Sequence, residues 1–154
     1  MSETETQGGR RYDNTLRQVQ ARATRARMIS AARQLFIGQG YESTTIAQIA
    51  RTAGVSVPTV QKVFGTKAAL AKAVYDVTLA GDDEPVPMGD RPVFQRLEAE
   101  TDPHEVLRLY AEIGGDLWSR LGDLFPVILA GAMSGDGDLV ALRQTISAES
   151  RIGS

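Results

Sequence analysis

The sequence predicts an all-α protein of two parts: an N-terminal unit of three helices, and a second helical unit reached through a fourth helix. Three observations predict it. Apolar residues recur at three- and four-residue steps, as in Ile29, Ala32, Leu35 and Phe36, or Val106, Leu109, Ile113 and Leu117, which is the period of a helix with one buried face. Helix starts are marked by hydroxyl or carboxylate caps at Thr45, Ser56, Thr66 and Asp102. A small residue, a glycine and an aliphatic stand at Ala50, Gly54 and Val60, the spacing that lets two short helices cross closely around a sharp turn.

The chain of 154 residues, 42% hydrophobic, is long enough for one domain or for a small domain with a helical extension. It has no cysteine, which excludes disulfides and cysteine-ligated metal centres. The first residues, MSETETQGGRR, lack the apolar core of a secretory signal. The longest apolar run, Phe125 to Met133, is too short to cross a bilayer. A soluble, cytoplasmic protein with no membrane partner is expected. The net charge of -2 hides an asymmetry: residues 1–81 carry eleven Lys/Arg against five Asp/Glu, and residues 82–154 six against fourteen. A basic front half fits a face turned towards a polyanion, with an acidic half turned away from it.

Taken in order, residues 1–13 read as a mobile basic arm with Arg10 and Arg11, able to settle in a minor groove or to stay in solvent. Asp13 or Asn14 is the expected cap of a long helix to about Gln39. Its Arg17, Arg22, Arg25 and Arg27 precede the continuous apolar stripe and so project outward. Gly38 and Gly40 end the helix, and Tyr41 enters the core. Thr45 and Gln48 make a T-x-x-Q capping box for a helix whose apolar face is Ile46, Ile49, Ala50 and Ala53.

Gly54 supplies the positive φ of the turn. Ser56 then caps a second short helix, with Pro58 tolerated in its first turn. Val60, Val63 and Phe64 are assigned inward, leaving Val57, Pro58, Thr59, Gln61 and Lys62 outward. Such a pair is a helix-turn-helix, whose second helix lies in a DNA major groove. Lys62 can donate to guanine, Val57 or Pro58 can meet a thymine methyl, and Thr59 and Gln61 can serve bases or phosphates. Thr44 and Thr45 stand at a helix start, where hydroxyls and free N–H groups attract phosphate. Thr66 caps the fourth helix. Lys67 opposes the dipole in its first turn, a placement that suits a phosphate clamp.

The stretch RMISAARQLFIGQGYESTTIAQIARTAGVSVPTVQKVFGTKAALAKAV, Arg27 to Val74, resembles the TetR-type bacterial transcriptional regulators in the order and spacing of its Leu-Phe, Gly-Tyr, Thr-Thr, Ile-Ala, Ala-Gly-Val-Ser and Lys elements. The resemblance implies a homodimer reading a palindromic operator in double-stranded DNA. It also implies a C-terminal helical domain that binds a small effector and dimerises. By position, Thr45, Thr59, Gln61 and Lys67 match phosphate-contacting sites, and Ala47, Val57, Pro58 and Lys62 match base-facing ones. The sequence departs from the family pattern at Gln61, where many members carry an aromatic, and at Val63, where an aromatic or histidine is frequent.

Residues 14–80 are thus the expected DNA-binding domain, 81–92 an extended acidic linker, and 93–154 a helical effector and dimerisation domain shortened at its C-terminal end. Asp102-Pro103-His104-Glu105 starts one helix, and residues 124–133 form another, apolar nearly all round and expected to be buried. Tyr110, Trp118, Phe125, Ile128 and Met133 are candidates to line an apolar effector pocket, ordinary core being the alternative. Leu139, Leu142 and Ile146 are candidates for exposed interface surface. The lone His104, the absence of a phosphate-binding glycine motif and the lack of a metal-ligand cluster leave neither a catalytic constellation nor a cofactor or metal site. A ligand-responsive repressor is the leading reading. A helical ligand-binding or interaction module without regulatory DNA binding is the alternative.

Overall fold

The spine of the molecule is one long helix, α1, Glu5–Gln39. The computed structural model describes residues 5–133, 137, 139–141 and 143–144. Asp13 and Asn14, expected to cap α1, lie inside it instead. No proline interrupts the stretch, so nothing forces the helix to begin there. Burial follows the apolar pattern more closely than the helix does. Residues 13–23 are exposed, Leu16 and Val19 included, whereas Met28, Ile29, Ala31, Ala32 and Phe36 are buried.

The expected capping box is present at α2, Ile46–Ala53. The Thr45 hydroxyl accepts from the Gln48 backbone N–H at 3.2 Å, and the Gln48 side chain accepts from the Thr45 N–H at 2.8 Å. Gly54 ends α2 with φ 68°, and the Val55 N–H reaches back to the Ala50 carbonyl at 2.9 Å. Ser56 caps α3, Val57–Phe64, by accepting from the Thr59 N–H. Ala50 and Val60 are both buried where the two helices cross. Val63 departs from its inward assignment and is 42% exposed. Val60 and Phe64, four residues apart, already fill the inner face, and Val63 is turned past the edge of that pair.

Thr66 caps α4, Lys67–Ala80, whose Leu70, Ala71, Ala73 and Val74 join the core, with α4 packed against α1 and α3. Gly81, at φ 85°, ends it. The acidic stretch that follows is only partly extended. A 3-10 turn, Met88–Asp90, leads into α5, Pro92–Ala99. α6, Pro103–Leu121, starts on the Asp102 cap and packs against α4 and α5, with Leu109 fully buried.

α7, Phe125–Met133, is buried on one side only. Leu124, Val127 and Ile128 join the core, while Phe125, Leu129 and Met133 are exposed. An apolar helix is covered only where another element stands against it. Leu139, expected at an exposed interface, is buried in the core cluster. Leu142 and Ile146 lie outside the described residues, as do residues 1–4 of the arm. The described residues contain no strand and no helix long and apolar enough to cross a membrane.

Candidate nucleic-acid interface

The outer face of the helix-turn-helix is set by what holds its inner face. With Val60 fully buried and Phe64 half-buried, α3 turns Pro58, Gln61 and Lys62 to solvent, with Val57 and Thr59 half-buried at the edges. Lys62 has no ion-pair or hydrogen-bond partner among the described residues. Thr59 shares a 2.7 Å hydrogen bond between its hydroxyl and that of Ser56, so the two hydroxyls stand together at the start of α3. Ala47 and Thr45 are exposed on the adjoining start of α2.

Thr44 and Thr45 part company. Thr45 is exposed, its hydroxyl engaged with Gln48. Thr44, placed with it among the DNA-facing residues, is 1% exposed, and its hydroxyl donates to the Gly40 carbonyl at 2.7 Å. Its side chain therefore closes the loop after α1 rather than facing DNA. Gln39 reinforces that loop, donating to the Ser43 carbonyl at 2.9 Å and to the Gln48 side chain at 3.2 Å.

Lys67 is engaged within the protein. Its ammonium donates to the carbonyls of Tyr41 and Thr44 at 3.0 and 3.1 Å and lies 4.1 Å from the Tyr41 ring centre. Those two carbonyls and the π-face supply the negative partners that the N-terminal turn of α4 withholds from a cation.

Arg25, expected to project outward, is engaged within the protein. Its guanidinium stacks 4.8 Å from the Phe64 ring centre and donates through Nε to Asp83 at 2.8 Å. Arg22 adds a looser pair with Glu84 at 3.9 Å. One clue was visible in the sequence, the run Asp82-Asp83-Glu84 opposite an arginine-rich helix, but the pairing depends on how α4 returns the chain to α1. Asp82 turns the other way and takes both terminal nitrogens of Arg91, at 2.7 and 2.9 Å. That hydrogen bonding, helped by the Glu84 backbone N–H, holds the Asp82 carboxyl at about 2, below its ordinary 3.8.

The five residues assigned to an effector pocket do not line one together. Tyr110, Trp118 and Met133 are 60%, 69% and 80% exposed, and Phe125 is exposed beside Trp118 with ring centres 6.1 Å apart. Ile128 alone reaches inward, packing against the core. α6 carries two apolar stripes. Leu109, Ile113 and Leu117 turn inward, and Leu107, Tyr110 and Trp118 turn out. A cavity with a volume of about 360 Å³ lies on the inward side, between the end of α4, the turn Met88–Asp90, α5 and α6.

A helix-turn-helix braced by a long first helix and a fourth helix, with the outer face of its second helix free, defines a DNA-binding domain. The family model for bacterial regulatory proteins of the tetR family matches residues 28–74, from Met28 in α1 to Val74 in α4. Over those residues the chain is similar to that family, and the domain supports a DNA-binding transcriptional regulator. Comparisons with curated proteins and with solved structures returned no match.

Proposed function

We propose that this regulator is a ligand-responsive repressor that binds a palindromic operator as a homodimer. The observation that carries sequence reading is the outer face of α3, where Lys62, Gln61 and Pro58 are exposed over a buried Val60. An ammonium, an amide and an apolar ring in one stripe offer a guanine donor, an amide for adenine and a surface for a thymine methyl. Thr45, Thr59, Gln61 and Lys67 are assigned to phosphate, and Ala47, Val57, Pro58 and Lys62 to bases. Two such helices on a two-fold axis meet half-sites about 34–36 Å apart. The reading has no catalytic step.

The dimer is supported by the second apolar stripe. Leu107, Tyr110 and Trp118 on α6, with Phe125, Leu129 and Met133 on α7, leave a run of exposed apolar side chains of the kind an assembly covers. The same face supports a second reading, a helical interaction module. Selection of bound sequences from random duplex DNA separates the two. An enriched palindrome is expected. Salt-dependent retention with no enriched sequence would remove the repressor and leave the interaction module.

A further inference from the structure

The buried stripe of α1, Ile29, Ala32 and Phe36, is continued towards the N-terminus by Arg25 and Arg22 at the same three- and four-residue steps. Where the core ends, that face of the helix turns from apolar to basic. Arg25 lies over the ring of Phe64, the last residue of α3, at 4.8 Å from its centre. Both guanidinium groups are taken by the acidic stretch after α4. Asp83 meets Arg25 with both carboxylate oxygens, Oδ2 at 2.8 Å from Nε and Oδ1 at 3.4 Å from Nη2. Glu84 stands 3.9 Å from Arg22. Two oxygens on one centre, set against the N–H edge of a guanidinium, are also what a DNA phosphate offers.

Neither arginine is shut away from such a group, their side chains being 36% exposed for Arg25 and 75% for Arg22. α3, about 12 Å long, is matched in length to a major groove about 12 Å wide, so groups at its end lie near the phosphates that bound the groove. Releasing the carboxylates needs no refolding. The Phe64 contact does not use the N–H groups that Asp83 occupies, so Arg25 can change partners without leaving the ring. The chain after α4 also keeps a separate anchor, because Asp82 holds Arg91 and accepts from the Glu84 N–H at 3.0 Å. Exposed ion pairs are weak, and a polyanion exchanges into them readily.

We propose that Asp83 and Glu84 are internal stand-ins for DNA phosphate: they occupy Arg25 and Arg22 in the free protein, and the DNA backbone beside the end of α3 displaces them. The acidic pair thereby opposes binding to every duplex, whatever its sequence, and limits retention on random DNA. The proposal rests on the reading of α3 as the groove helix. It adds to that reading a backbone contact from α1 and the group that competes with it.

The test is a double-mutant cycle on the full chain, read as fluorescence anisotropy of a labelled random-sequence duplex across a series of salt concentrations. Asp83→Asn with Glu84→Gln removes both charges and should tighten binding about three- to tenfold. Arg22→Gln with Arg25→Gln should weaken binding about tenfold and flatten the slope of log affinity against log salt by about 2. With the arginines gone, the carboxylate substitutions should change affinity by less than about twofold. Asp83→Asn against Arg25→Gln repeats the cycle with one change on each side, so the proposal stays testable if a double variant does not fold. Equal tightening with and without the arginines would overturn it, since the acids would then act only through the general field of the protein. Unchanged or weaker binding by the carboxylate variant, or an unchanged salt slope in the arginine variant, would overturn it too. Each of those results leaves sequence reading by Lys62 standing, and a selection that enriches no palindrome leaves the result of the cycle standing. Wild type that binds no duplex even at low salt would overturn both.

Discussion

The Arg25 guanidinium lies 4.8 Å from the centre of the Phe64 ring while donating to Asp83 at 2.8 Å. One side chain of α1 thus touches the last residue of the recognition helix and the first turn of chain beyond α4. Phe64 is half-buried, so the cation covers a ring face that would otherwise face water. The arrangement fixes the end of α3 from outside the helix-turn-helix.

Arg25→Gln should therefore cost about 1 kcal/mol of stability, the sum expected of a partly exposed cation–π contact and a partly exposed ion pair. Urea denaturation measures it. Adding Phe64→Leu should show coupling, with the double variant losing less than the two single losses together. Strict additivity would mean that the stacking contributes nothing.

Lys67 ties the start of α4 to the loop at Tyr41 and Thr44. Lys67→Met keeps the side-chain length and removes both hydrogen bonds and the ring contact. It should lower stability by about 1–3 kcal/mol, since two carbonyls lose a charged donor. In DNA binding, operator and random duplex should weaken alike, with a flatter dependence on salt. Lost stability with an unchanged salt slope would leave Lys67 a structural tie with no phosphate role.

Asp82 gives a pH signature. Its carboxyl sits at about 2 in the folded protein against 3.8 unfolded, because Arg91 donates to it. The depression means that its stabilising effect is complete above pH 3.8 and is lost as pH falls through that value towards 2. Asp82→Asn should lower the urea midpoint at pH 6 and approach the wild-type midpoint near pH 2. A constant offset at all pH values would show that the ionised carboxylate is not what Arg91 needs.

Trp118→Glu places a charge in the exposed stripe of α6, where the side chain is 69% exposed. If that stripe is the contact between two copies, sedimentation should show the mass of two chains for wild type and of one for the variant, with helicity unchanged. A surface position of this exposure tolerates the substitution within about 0.5 kcal/mol of monomer stability. A dimer unaffected by the change would move the interface elsewhere.

Much of the DNA-binding domain was legible because its instructions are local. The Thr45–Gln48 box, the Ser56 and Thr66 caps and the Gly54 turn each act within three or four residues, and all form as read. Thr44 was not legible, since its neighbour Thr45 has the same chemistry, and only the returning chain shows which hydroxyl meets the Gly40 carbonyl. The second half misled for a related reason. Period alone says that Leu107, Tyr110 and Trp118 share a face of α6, but not whether another helix stands on that face. The cavity instead uses Leu79 of α4 with Arg91 and Phe94 at the start of α5, brought together by the turn after Gly81.

The central claim, that the outer face of α3 reads sequence, is tested most directly by the affinity of wild type and Lys62→Ala for the selected palindrome and for a scrambled duplex of equal composition, at one fixed salt concentration. Wild type should prefer the palindrome by a factor of about 10³ or more. Lys62→Ala should lose about 1–3 kcal/mol on the palindrome alone and relax selection at one base pair per half-site. Equal wild-type affinity for the two duplexes, or equal weakening of both by the substitution, would contradict it.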